Sequence, residues 1–436
     1  MRFTALLSLA ASATACNFDY PTAVRLHHRD NTTDGSTIGE ADLLPISTTD
    51  RFHGGAVAPK GLSALHNPAY LFDRLMSVTE VYSAMKSFRN FFGAELFDAP
   101  HKTAEGRTVH GVRIPPLGRP ATVDKYHVVL VSQVHARERG ASDNVILFLS
   151  DLLWAHKNGE GLDYGLVTYS ADQVRQALGV GLVVLPMPNP DGVLWDQQTN
   201  TCWRKNRNPE SAIAGEDRSI GVDINRNWDI LWNSTEAFAH DYAPSSADPS
   251  SDVFMGTGPN SEPEVQNVIW TVDTHPGTTH FMDIHTYSNI VEYSWGFNWA
   301  QTTDPSMSFQ NRSWDGLRGA ADSGYMEYIT EADNATLSAI ANAVADKATI
   351  TAGEYWWAGM PGVELYPMSG DAMDYFNSLH YIDPSRKPIR AFDMEFGAPN
   401  FDYMHCPFYP NSTVYHQWLV DTSVAFMEFL LQAADA

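Results

Sequence analysis

The chain has 436 residues, 44% apolar and 18% charged, with a net charge of −24. That composition supplies a sizeable hydrophobic core and fits one large or two ordinary domains. So acidic a surface argues against nucleic acid and anionic membranes as partners.

The N-terminus reads as a secretory signal. Arg2 gives a positive start, residues 6–11 an apolar stretch, and Ala13-Thr14-Ala15 a small-residue cleavage site, with the cut between Ala15 and Cys16. No later run is long and apolar enough to span a bilayer. Residues 16–66 are rich in Asp, Thr, Gly, His and Ser and lack sustained periodicity. They read as a short N-terminal extension or propeptide, ahead of a catalytic domain at 67–436.

Ser77-Val78-Thr79-Glu80 is a capping box, and Val81, Met85, Phe88 and Phe92 follow at helical spacing. Residues 126–131 form an apolar strand that runs into His135, and 144–154 a helix. Residues 181–185 are a second strand, ending at Pro188-Asn189-Pro190-Asp191-Gly192. The Ser-, Pro-, Asp- and Gly-rich stretch 241–259 reads as a surface loop. Ser261-Glu262-Pro263-Glu264 opens another helix with capping-box spacing. Residues 280–285 and 389–395 are further strands, and 418–431 an amphipathic closing helix. Strands alternating with helices predict an α/β fold, its sheet covered on both faces and its functional residues at strand ends.

Sequons at Asn31, Asn233, Asn311, Asn334 and Asn411, taken with the signal, fit a secreted, extracellular glycoprotein. An oxidising compartment favours a disulfide, and Cys202–Cys406 is the preferred pair, leaving Cys16 at the mature terminus.

The chemistry concentrates in His135-Ala136-Arg137-Glu138, in Asp283-Ile284-His285-Thr286-Tyr287, and in Phe392-Asp393-Met394-Glu395-Phe396. A His-x-x-Glu pair with one distant His holds one Zn2+ and leaves a coordination position open. A second glutamate, off the metal, then serves as base on water. The pattern points to hydrolysis of an acyl bond, with His135, Glu138 and His285 on the metal and Glu395 as base.

Further motifs lie between these. They are Trp203-Arg204-Lys205 and Gly221-Val222-Asp223-Ile224-Asn225-Arg226-Asn227-Trp228-Asp229. In order, the chain carries His-x-Arg-Glu, Asn-Pro-Asp-Gly, Trp-Arg-Lys, Val-Asp-x-Asn-Arg-Asn-Trp-Asp, His-x-Tyr-Ser, a Tyr before Ser-Gly, and a late Glu. With this set it resembles the secreted zinc metallocarboxypeptidases of the pancreatic A/B type, from about Tyr70 onward.

The resemblance implies a single catalytic domain around a mixed, mainly parallel sheet, and peptide or protein C-termini as partners of a monomer. It makes Glu395 the general base and acid, and Asp223 the carboxylate that orients a ligand histidine. Asn225 and Arg226 match the pair that captures the substrate's terminal carboxylate, which Arg binds bidentately. Arg204 matches the residue that polarises the scissile carbonyl. Arg137 matches a contact upstream of the cut, and Tyr287 joins the substrate-binding set. Tyr366 matches a mobile tyrosine that closes over the C-terminal residue. From Tyr366 to Glu395 is 395 − 366 = 29 positions, longer than the family's usual stretch, and an insertion within 377–387 absorbs the excess.

The base of the specificity pocket falls on Met373, which implies preference for apolar or aromatic C-terminal residues. Asp371 is either a turn residue or a pocket carboxylate that extends acceptance to Lys and Arg. A catalytically silent peptide-binding relative would have lost a zinc ligand or the base, and none is lost. A zinc amidohydrolase would not need the Asn225–Arg226 pair.

Overall fold

An eight-stranded mixed sheet carries the molecule. In chain order its strands are β1 (Glu95–Lys102), β2 (Thr108–Ile114), β3 (Val128–Ser132), β4 (Leu182–Leu185), β5 (His280–His285), β6 (Ile290–Tyr293), β7 (Trp357–Gly359) and β8 (Arg390–Glu395). Their spatial order is β1-β2-β4-β3-β5-β8-β6-β7. The middle strands β4, β3, β5 and β8 run parallel, and β1, β2 and β6 join antiparallel to their inner neighbours. The structure is a computed structural model that describes residues 43–116, 123–320 and 322–435. The predicted signal, its cleavage site, Cys16 and Asn31 lie outside the described residues.

Strands β3, β4 and β5 are buried at every position. That explains their unbroken apolar runs, because helices cover both faces of a parallel sheet. Helix α1 (Val78–Phe92) starts at the Ser77 capping box, and Val81, Met85 and Phe88 point into the core. Helix α2 (Ala141–Asn158) is longer than the predicted 144–154. Helices α3 (Ala171–Gly179), α4 (Pro190–Thr199), α5 (Pro263–Asp273), α6 (Glu331–Thr351), α7 (Ala372–Ile382) and α8 (Ser412–Asp435) complete the long helices.

Two local expectations change. The capping box at Ser261 does not form: Glu262 is the N-cap of α5 without a side-chain cap bond. Its carboxylate instead accepts from Asn206 (2.7 Å) and Asn208 (2.9 Å). Helix α8 is not amphipathic over 418–431, being buried on nearly all sides between α2, α3 and α6. A helix covered all round needs no polar stripe.

The described part of the N-terminal extension shares the core of the sheet through Leu44, Phe52 and Leu62. Arg51 meets the buried Glu80 carboxylate through Nε (2.7 Å) and Nη2 (3.0 Å). Asp151 on α2 accepts from the Ser63 (3.1 Å) and Ala64 (2.8 Å) amides. Residues 66–73, around the expected boundary, are irregular and exposed or half-buried. Cys202 and Cys406 form a disulfide with Cα atoms 5.5 Å apart. Among the described residues no helix is long and apolar enough to cross a membrane.

Candidate metal centre and active site

The loop leaving β3 is fixed by Gln133, a non-glycine residue at φ 59°. Its side-chain amide donates to the Glu138 carbonyl (2.9 Å) and accepts from the Ser142 amide (3.1 Å), so the loop cannot swing away from α2. The Ala136 amide donates to the Arg204 carbonyl (3.0 Å), tying this loop to the Trp-Arg-Lys segment. His135 and Glu138 therefore project from a braced turn just past the end of β3, and His285 ends the adjacent β5.

His135, Glu138 and His285 are all buried, with ligand atoms within 4.8 Å of one another. His135 Nδ1 lies 2.7 Å from Glu138 Oε1, and His285 Nδ1 lies 3.1 Å from Glu138 Oε2 and 3.1 Å from His135 Nδ1. The outer nitrogen of each ring faces a carboxylate: His135 Nε2 meets Asp223 Oδ1 at 3.0 Å, and His285 Nε2 meets Asp283 Oδ2 at 3.1 Å. With each Nε2–H donated outward, the two Nδ1 lone pairs converge beside a carboxylate, an arrangement that suits a cation between them. Bonds of about 2.05 Å at a tetrahedral angle place two nitrogens roughly 3.3 Å apart, close to the separation observed. The donor set fits zinc.

Asp223 is fully buried and joins three parts of the site. It orients His135, accepts from the Asn225 amide (3.0 Å) to cap the single 3-10 turn Ile224–Arg226, and accepts from Arg204 Nε (2.9 Å). Burial alone would raise its carboxyl, but Arg204 and His135 outweigh that and hold it well below the usual range. Glu138 follows the same balance, held low by His135 and His285 against its burial.

Glu395 and Arg204 keep partial exposure while His135, Glu138 and His285 are sealed. Glu395 ends β8 directly beside His285 in the parallel register. Burial pushes its carboxyl up to about 8, with His285 and Arg204 pulling the other way. Arg226 is buried and donates to the Pro244 carbonyl (3.0 Å), the Asn225 carbonyl (2.6 Å) and Tyr366 Oη (3.4 Å), so Tyr366 covers it. The segment after Tyr366 fits because Gly370, at φ 69°, approaches the Arg226 carbonyl so closely that a Cβ would lie 2.6 Å from it.

Arg137 donates to Asp252 (3.0 Å) and lies over the Phe408 ring at 4.5 Å, with Tyr287 on the same ring at 4.7 Å. Asp252 belongs to the stretch 241–259, whose Pro244, Phe254 and Met255 are buried. The stretch is the surface loop expected, and these buried residues pack its inner side against the rest of the chain. Met373 on α7 is fully buried in the core. Asp371 is the N-cap of α7, accepting from the Asp374 amide (2.8 Å). Burial raises its carboxyl to about 6, and its other oxygen, Oδ2, has no hydrogen-bond partner. The span 377–387, expected to hold an insertion, comprises the end of α7 and the turn toward β8.

Sequence reasoning passed over Gln133, Asp252, Phe408, Asp283, Asp393 and Glu292. A signal existed for two of them: Asp283 and Asp393 stand two residues before His285 and Glu395 on strands, which puts them on the same sheet face.

The profile of the zinc carboxypeptidase family matches residues 94–409. The chain is 32% identical to mouse (Mus musculus) carboxypeptidase A2 over 181 residues, 42% of this chain and 38% of that protein. It is 28% identical to carboxypeptidase B of Astacus astacus over 194 residues, 44% of this chain and 54% of that one. The aligned stretches thus span about half or less of these curated relatives. Among solved structures, carboxypeptidase A from Helicoverpa armigera superposes with a TM-score of 0.61 at 20% identity, covering 88% of this chain and 79% of the other, which shows the shared fold. With most of the chain inside the matched span, this protein belongs to the zinc carboxypeptidase family.

Proposed function

We propose that the protein is a secreted, monomeric zinc exopeptidase that removes single amino acids from peptide C-termini. Zinc held by His135, Glu138 and His285 would supply the polarisation that makes water a nucleophile near neutral pH. Asn225 and Arg226 bind the terminal carboxylate and so set the register of the cut. Arg204 donates to the scissile carbonyl as negative charge develops on its oxygen. Glu395 takes a proton from the attacking water and passes it to the leaving nitrogen as the C–N bond breaks. Tyr366 closes over the bound residue and excludes water. Arg137, with Tyr287 and Phe408, contacts the chain upstream of the cut.

The observation that carries this reading is the shared carboxylate of Asp223. One side chain holds a metal-ligand histidine, the carbonyl-polarising arginine and the turn bearing the carboxylate clamp. On specificity, Met373 supports apolar and aromatic residues. The unpartnered, buried oxygen of Asp371 favours a second reading, mixed acceptance that extends to Lys and Arg. The test is release of free amino acid from N-blocked dipeptides ending in Phe or Lys, with and without a chelator. Chelator-sensitive release supports the proposal. Zinc-loaded protein that releases nothing supports a peptide-binding role instead.

A further inference from the structure

The register of three adjacent strands sets a second row of side chains beside the catalytic one. Asp393 on β8 lies directly opposite Asp283 on β5 and Glu292 on β6. Two residues further along β5 and β8, His285 stands opposite Glu395. Alternate residues share a face of a strand, so the row Asp283–Asp393–Glu292 lies on the catalytic face, one pleat below. Direct neighbours in such rows stand about 5 Å apart, and like charges there repel. All three carboxylates are 1% exposed.

Their partners do not balance them. Asp283 is taken up by His285. Asp393 accepts from Asn225 Nδ2 (3.3 Å) through one oxygen, and its Oδ1 has no partner. Glu292 Oε1 and Asp371 Oδ2 also have none. Among the described residues no Lys or Arg ion-pairs with any of these three carboxylates. Buried carboxylate oxygens in such numbers ordinarily meet a cation or donors. Asn225 links them to the clamp: its Oδ1 accepts from the Ala372 amide (3.0 Å), next to Asp371, while its Nδ2 touches Asp393.

We propose that Glu292 and Asp393, with Asp371, form the far end of the specificity pocket and receive the cationic side chain of a C-terminal Arg or Lys. The peptide's own carboxylate rests on Asn225 and Arg226. This rests on the exopeptidase reading and names the preferred substrate within it: the pocket discriminates by charge at its floor, with Met373 contributing apolar wall. A metal ion on Asp283, His285 and Asp393 is the competing occupant, but His285 there would serve two ions at once.

The test uses the zinc-loaded full chain and N-blocked dipeptides with one common acyl residue, ending in Arg, Lys or Phe. The expected kcat/KM for Arg and Lys exceeds that for Phe by about tenfold or more, and Glu292→Gln and Asp393→Asn each lower the Arg/Phe ratio at least roughly tenfold. The ratio is unaffected by any loss of folded enzyme. Binding of free arginine and free phenylalanine, measured by calorimetry, should show the same order and the same collapse in the variants. A wild-type preference for Phe, or a ratio unmoved in both variants, overturns the proposal. So does a second tightly held metal per chain that Asp393→Asn removes. Should no dipeptide be cleaved, the exopeptidase reading falls separately, and equal Kd values for arginine and phenylalanine then overturn the acid-row proposal.

Discussion

Replacing Asp223 by Asn isolates the electrostatic part of the site with little change in shape. The asparagine carbonyl can still accept from His135 Nε2 and from the Asn225 amide, now both 3.0 Å from Asp223 Oδ1. Its amide nitrogen, however, would face Arg204 Nε at the 2.9 Å now spanned by a carboxylate oxygen, donor against donor. Breaking a buried pair costs about 3–5 kcal/mol. Arg204 keeps some exposure and has Glu138 Oε1 at 3.8 Å, so roughly 2 kcal/mol is the more realistic loss of stability. Loss of the anion behind a ligand histidine weakens metal binding about 10- to 100-fold, or roughly 1.4–2.7 kcal/mol. The assays are zinc Kd by chelator competition, melting temperature without metal, and kcat/KM with zinc saturating. Zinc affinity within twofold of wild type, together with unchanged kcat/KM, would refute the reasoning.

Glu395→Gln should bind zinc as wild type does yet lose most turnover, because the amide cannot take the proton from water; normal activity in this variant sinks the assigned mechanism. His285→Ala should lower bound zinc well below one per chain, and intact zinc content removes the ligand assignment. Burial pushes Glu264, Glu327 and Asp421 each up to about 8, so the folded chain keeps protons that the unfolded chain releases near pH 4. The stability they contribute is complete below about pH 4 and is lost as pH rises through about 8. Melting temperature should therefore fall between about pH 4 and 8, with a shallower slope in Asp421→Asn; an equal slope counts against the argument. Cys406→Ser opens a cross-link between residues 204 positions apart and should cost about 2–5 kcal/mol in chemical denaturation, whereas an unchanged midpoint would mean the bridge carries no stability.

The parts of the fold that the sequence made legible are those set by local rules. Period and apolar runs placed β5 at its observed bounds and β4 and β8 within one residue, and the Ser77 capping box formed as written. Where a tertiary partner competes, local reading fails. Ser261 precedes a helix with the right spacing, but Asn206 claims Glu264, the glutamate that the box would need, and the N-cap falls on Glu262. Helix α8 looked amphipathic because its outer cover, α6, comes from 60 or more residues earlier in the chain. The site divides the same way. Residues quoted in motifs came together: His135, Glu138, His285 and Asp223 within hydrogen-bond reach, Glu395 beside His285, and Tyr366 over Arg226. Gln133, Asp252 and Phe408 act only through contacts that folding creates. The acid row is the instructive miss, because Asp283 and Asp393 sit in the quoted motifs, but Glu292 becomes their neighbour only through the pairing of β6 with β8.

The central claim is that a metal and a terminal-carboxylate clamp act together, and one comparison tests both. An N-blocked dipeptide with a free C-terminal carboxylate, and the same dipeptide as its C-terminal amide, are given to the zinc-loaded protein and to protein stripped by a chelator. The account predicts release of the terminal amino acid from the free acid alone, lost with the metal and restored by zinc. Equal cleavage of acid and amide, or cleavage indifferent to the metal, would contradict it.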